Sequence, residues 1–183
     1  MVIDVVDIGD RNLLEIEVKE LQAKGRSVIM HDAVSGNAVR QMIYSVIRTA
    51  KTPGTITLLR LHGHGLPGFM SVSVGNKLKR SQLQNGAPIF ISNNNVHTFA
   101  ADFAKLRPYF AGGGRVELMG CYVAQGNEGA SLLRSLAKYI GVPVSGGSEI
   151  QFAGGSKTFA LEGQVFTALP DGTLKLQQDF LKF

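Results

Sequence analysis

The 183-residue sequence has one cysteine, Cys121, and no tryptophan. A single thiol excludes an intramolecular disulfide and a cysteine-rich zinc site, and leaves Cys121 as either a small buried hydrophobe or a reagent. No apolar run approaches the ~18 residues of a membrane-crossing helix, so no membrane partner is expected. The N-terminal MVIDVVDIGD has no basic region ahead of its apolar stretch and carries Asp4 and Asp7 within it. It reads as a first strand, not a signal peptide, which places the chain as written in the cytoplasm and leaves export within a longer protein open. Aromatic residues are scarce at 8%, and the net charge of +5 is spread out, densest only at Lys77, Lys79 and Arg80. With no recognisable nucleic-acid motif, that charge reads as solvated surface and nucleic acid is not an expected partner. What is present is a globular composition, 44% hydrophobic and 18% charged, at a length that suits a single domain over residues 1–183 with a substantial core.

The hydrophobic pattern predicts strands at 2–8, 27–31, 55–61 and 115–119, and a short one at 142–144. Helical spacing covers 12–24, 37–50, 98–110 and 128–140. Gly25 and Gly141 read as helix stops, Pro53-Gly54 as a break, and Gly112–Gly114 as the end of the third helix. The stretch 66–92 holds short β-like pieces at 70–74 and 88–91, read as a small hairpin outside the main sheet. The SGGSE segment after residue 144 reads as a loop, and Asp171-Gly172 as a turn. Strands alternating with helices imply βαβ units. The expected fold class is α/β, a mainly parallel sheet with helices on both faces.

Against that frame the stretch RLHGHGLPG (60–68) stands out, because two histidines on a glycine-rich backbone follow directly on an apolar strand. In open α/β sheets chemistry gathers beyond the carboxyl ends of the strands. Gly120-Cys121 ends the next long strand, and a right-handed crossover brings the two strand ends to one edge. That is the placement a Cys–His pair needs for nucleophilic catalysis. Gly65 would allow close backbone approach, and the N–H groups of Gly65 and Cys121 would suit a developing oxyanion. A metal site at His62 and His64 lacks partners. Leu66, Pro67 and Gly68 follow, and His31 and His97, the other two histidines, read as structural or surface residues. The glycine runs at 112–114 and 146–147 fit no phosphate-binding pattern, so no metal or cofactor is expected.

A hydrophobic strand ending in His-Gly, followed by a second ending in Cys, resembles the caspase-like cysteine peptidases (clan CD). These include caspases, legumains, gingipains, clostripain and separases, together with the bacterial CHAT domains. Cys121 follows His64 by 57 positions, against roughly 50 in caspases. The stretch VELMGCYVAQGNEGASLLRSLAKYIGVPVSGG looks most like the bacterial branch, and the likeness covers about residues 1–155. It implies a three-layer caspase/hemoglobinase-like sandwich and cysteine endopeptidase activity on a peptide or protein substrate. Cys121 would then be the nucleophile and His64 the base or acid, with Gly65 and Cys121 as oxyanion donors. His62 remains the alternative base, since strand alternation puts it on the same side as His64. The caspase pentapeptide Gln-Ala-Cys-Arg-Gly is replaced by Met119-Gly120-Cys121-Tyr122-Val123. Basic-specific relatives often place an Asp where Met119 stands. Candidate pocket residues are Asp32, Ser145, Gly146 and Glu149, although Glu149 also reads as a surface carboxylate. The other reading of the same fold is an inactive binding or scaffold domain of a larger bacterial protein. Oligomeric state is left open.

Overall fold

The computed structural model describes residues 1–8, 14–31, 38–73, 90–152, 154 and 160–177. Its strands in chain order are β1 (Val2–Asp7), β2 (Ser27–His31), β3 (Ile56–His62), β4 (Gly65–Leu66), β5 (Phe69–Ser71), β6 (Phe90–Ser92), β7 (Phe110–Met119), β8 (Val144–Gly147), β9 (Val165–Ala168) and β10 (Leu174–Gln177). The α-helices are α1 (Lys19–Ala23), α2 (Ala38–Ala50), α3 (Ala100–Ala104) and α4 (Gly126–Ile140). A seven-stranded sheet runs β10-β9-β8-β7-β3-β1-β2. It is parallel from β2 to β8, with β9 and β10 added antiparallel. A second, antiparallel sheet, β4-β5-β6, lies outside it; the small hairpin expected in 66–92 is a three-stranded sheet whose first strand starts at Gly65, and the piece expected at 70–74 is strand only to Ser71. Residues 74–89 of that stretch lie outside the described residues.

Chain direction explains the layers. The path moves from β1 outward to β2, then back past β1 to β3. Right-handed crossovers in opposite directions fall on opposite faces. Residues 14–23 therefore cover one face, where Val6 packs with Val18 and Leu21. From β2 through β8 the strands progress in one direction, and α2, α3 and α4 share the other face. There Ile3, Val5, Leu59, Leu61, Val116 and Leu118 project alternately from their strands into the main core. The helices meet them with stripes at three- and four-residue spacing: Val39, Met42, Ile43 and Val46 from α2, and Leu132, Leu133, Leu136 and Ile140 from α4. The result is an α/β sandwich of three layers around a mainly parallel sheet, the predicted class.

Several local expectations are corrected. Gly112–Gly114 do not end a helix. They lie inside β7, where the register against β3 jumps between the pairs Ile56–Phe110 and Leu58–Arg115, and Gly113 takes φ +78°. The glycines let β7 bulge and still rejoin the sheet. The predicted helix 98–110 is broken into a 3-10 turn (Val96–Phe99), α3 and a second 3-10 turn (Arg107–Tyr109). Pro108 cannot donate to a continuing helix. Within the predicted helix 12–24, Leu14–Val18 are a π-turn ahead of α1, and residues 12–13 lie outside the described residues. The short strand predicted at 142–144 sits further on: Ser145, Gly146 and Gly147 are strand, because β9 pairs along that edge as far as Gly147–Val165.

Gly141 ends α4 as read, with φ +84° and its N–H bonded to the Ala137 carbonyl. A Cβ there would take an unfavourable left-handed conformation and press on the Arg107 guanidinium, 2.9 Å from its Cζ. Gly141→Ala should cost about 1 kcal/mol, read as a lower urea midpoint with an unchanged slope.

Candidate functional site

β3 and β7 are neighbours, and their last residues, His62 and Met119, are in register. The chain therefore leaves the sheet at Gly63 and at Gly120 side by side. The two turns touch through their backbones. A Cβ built on Gly65 would lie 2.7 Å from the Cys121 nitrogen, and one built on Gly120 would lie 3.2 Å from the Gly65 Cα. Such approach admits no side chain at Gly65 and leaves only tight room for one at Gly120. It brings the predicted His64 loop against the predicted Cys121 turn.

Each turn is tied down separately. On the β3 side, the His64 N–H donates to Ser71 Oγ at 3.0 Å, and the Ser71 N–H donates back to the His64 carbonyl at 2.8 Å. Ser71 Oγ in turn donates to Asp7 Oδ2 at 2.6 Å. On the β7 side, Tyr122 takes φ +56°, a conformation non-glycine residues rarely adopt. Its N–H donates to the Glu149 carbonyl, and the Ala124 N–H donates to the Gly147 carbonyl. Cys121 is half-buried at this bend. Its sulfur accepts the Gln151 N–H at 3.4 Å and lies 3.8 Å from the Gln151 carbonyl. The Gly68 N–H donates to the Val123 carbonyl, joining the two sides.

The N–H groups of Tyr122, Val123, Ala124 and Gln125 all have backbone acceptors, whereas that of Cys121 has none among the described residues. Gly65 is similarly disposed. The Ser71-to-His64 bond makes 64 and 71 the hydrogen-bonded pair of the small ladder. In an antiparallel ladder the next pair, Gly65–Met70, turns its N–H groups away from the partner strand. At the junction of the turns, then, the Cys121 amide has no backbone acceptor among the described residues and the Gly65 amide faces away from β5.

His62 belongs elsewhere. It is buried, with Nε2 3.1 Å from Asp4 Oδ1 and Nδ1 3.4 Å from Glu17 Oε2. Burial opposes its charged form, but hydrogen bonds and charge from Asp4 and Glu17 outweigh that, and its pKa is raised. The alternation that would align His62 with His64 stops because β3 ends at His62. Of the candidate pocket residues, Ser145 is buried with its hydroxyl 2.7 Å from that of Thr167. Gly146 is buried too, packed so that a Cβ would lie 2.9 Å from Val123 Cγ1. Glu149 is exposed; its carbonyl holds Tyr122 and its side chain lies over Gly163. Asp32 lies outside the described residues. Sequence reasoning missed Asp7, Ser71 and Gln151. An aspartate closing an apolar strand was a visible signal, but its partner Ser71 was not. Among the described residues no cluster of three or more His, Cys, Asp or Glu could hold a metal ion, and no helix is long and apolar enough to cross a membrane.

Fold and site together define an α/β protein that carries a cysteine and a histidine at the carboxyl ends of adjacent parallel strands. The chain belongs to the family described as a domain of unknown function (DUF4347), whose model matches residues 17–156 and so takes in both turns. No curated protein and no solved structure matches it.

Proposed function

We propose that the protein is a caspase-like cysteine endopeptidase with His64 and Cys121 as its catalytic pair. The reading rests above all on the Cys121 N–H, which has no backbone acceptor among the described residues and lies where the Gly65 and Gly120-Cys121 backbones meet. An oxygen held there by the Cys121 and Gly65 amides leaves its carbon within reach of the cysteine sulfur. The Cys121 thiol gives its proton to His64, and the thiolate attacks the scissile carbonyl carbon, forming the C–S bond while the π pair moves to the oxygen. Collapse of that oxyanion breaks the C–N bond, and His64 delivers a proton to the departing amine. Water activated by His64 then attacks the thioester carbon and releases the acid and the thiolate. The substrate is a peptide or protein, and no metal or cofactor takes part.

A peptidyl acyloxymethyl ketone library tests this. Such reagents add one thioether to an active cysteine, and mass spectrometry locates it. Modification should fall on Cys121 and slow by about 10²-fold in His64→Ala, the lower range of a general acid–base contribution. Modification at the rate of a simple alkylator, indifferent to His64, would favour the scaffold reading.

A further inference from the structure

Resting on that reading, we propose that Ser71 and Asp7 are positioning residues that hold His64 in register with Cys121. His64 stands between Gly63 and Gly65, and a backbone so flanked does not fix its own geometry. Ser71, fully buried on β5, holds it by bonding both the N–H and the carbonyl of His64. Gly63 is part of the same fit, since a Cβ there would lie 2.9 Å from Ser71 Oγ.

Asp7 determines which way the hydroxyl points. It is 3% exposed at the carboxyl end of β1, one step beyond the Val6–His62 pair. A serine hydroxyl has one proton and two lone pairs. With the proton committed to the Asp7 carboxylate at 2.6 Å, the lone pairs are left for the His64 N–H at 3.0 Å. A buried carboxylate requires such donors, and a charge-assisted bond of this kind is stronger than a neutral one. The relay thus ties the ends of β1 and β5 to the loop that carries the histidine. It acts on the His64 backbone, and neither Ser71 nor Asp7 is assigned a contact with substrate. Displacement of a reacting group by about 1 Å can cost on the order of 10²-fold in rate, so a relay that prevents it is worth having.

The test is the rate of Cys121 alkylation by iodoacetamide in wild type, His64→Ala, Ser71→Ala, Asp7→Ala, Asp7→Asn and the Ser71→Ala/His64→Ala double variant, each first checked for folding by thermal unfolding. Ser71→Ala should react about 10-fold more slowly than wild type. Asp7→Ala should also be slower, while Asp7→Asn, whose amide oxygen accepts the same bond, should stay within about threefold of wild type. The double variant should be no slower than His64→Ala, because a residue acting through His64 has nothing left to act on. With a cleavable peptide, Ser71→Ala should lower kcat and leave KM unchanged. A wild-type rate in Ser71→Ala, or an additive loss in the double variant, overturns the positioning role alone. A His64→Ala variant that labels like wild type overturns the catalytic pair, and this proposal with it. Should Ser71→Ala fail to fold, the contrast between Asp7→Ala and Asp7→Asn decides: equal rates in the two overturn the relay.

Discussion

Cys121→Ala should lose at least about 10⁴-fold in kcat for peptide hydrolysis while keeping its fold and its affinity for peptide. Removal of the nucleophile of an acyl-transfer enzyme leaves only the background rate from binding and oxyanion contacts. The structural cost should be small. The sulfur is half-buried, and its polar contacts are long ones to the Gln151 backbone, at 3.4 and 3.8 Å. Losing them should cost about 1 kcal/mol or less. The oxyanion donors should survive, since both are backbone amides and the contact between Gly65 and Gly120 involves no side chain of Cys121. The variant should therefore still bind an uncleaved peptide, and is the form in which to capture a natural substrate. Calorimetry with a peptide identified by the ketone library, beside a turnover assay, reads both halves. Hydrolysis that survives in Cys121→Ala would reject the cysteine as nucleophile. Loss of turnover together with collapse of the fold would assign Cys121 to packing.

How much of this was legible in the sequence depended on the range of the forces involved. The strands of β1, β3 and the later part of β7, and the helices α2 and α4, follow from local hydrophobic spacing and were read within a few residues. The approach of the loop carrying His64 to the turn carrying Cys121 was legible because it follows from topology: parallel strands joined by right-handed crossovers end at one edge. The misreadings lay where a distant strand overrode a local signal. Gly112–Gly114 and Ser145–Gly147 have the composition of loops, yet pairing with β3 on either side of the first run, and with β9 along the second, keeps them in the sheet. The π-turn at Leu14–Val18 has a helical pattern whose winding the pattern does not specify. Asp7 and Ser71 were missed because their role exists only between side chains 64 positions apart. His62 was left open beside His64 because strand alternation treats them alike, and only the end of β3 and the carboxylates facing His62 separate them.

Those carboxylates make His62 the site of the second large effect. On the face covered by residues 14–23, Asp4 is fully buried and Glu17 half-buried, both against the imidazole. Arg60 completes the cluster, with Nε 2.8 Å from Glu117 and Nη1 3.9 Å from Asp4, and Arg115 meets Glu117 from the exposed side. His62→Ala should destabilise the protein by up to about 3–5 kcal/mol, the cost of breaking a buried ion pair, with Arg60 left as the remaining cation beside Asp4. The pH dependence has a definite sign. The imidazolium is disfavoured by burial but favoured more by Asp4 and Glu17, so its pKa in the folded chain is raised above the ordinary 6.5. The unfolded chain gives up that proton first as pH rises. The stabilisation is therefore full below about pH 6.5 and is lost as pH climbs through the raised value. Urea unfolding from pH 5.5 to 9 should show wild-type stability falling once the pH rises above about 6.5, with His62→Ala lower throughout and flatter. A wild-type stability that rises over the same interval would mean that His62 is held neutral. Well below its unfolding temperature, His62→Ala should still label at Cys121 like wild type, because the ring is committed to the clamp between β1, β3 and the 14–23 segment. A loss of labelling there equal to that of His64→Ala would hand the catalytic role to His62.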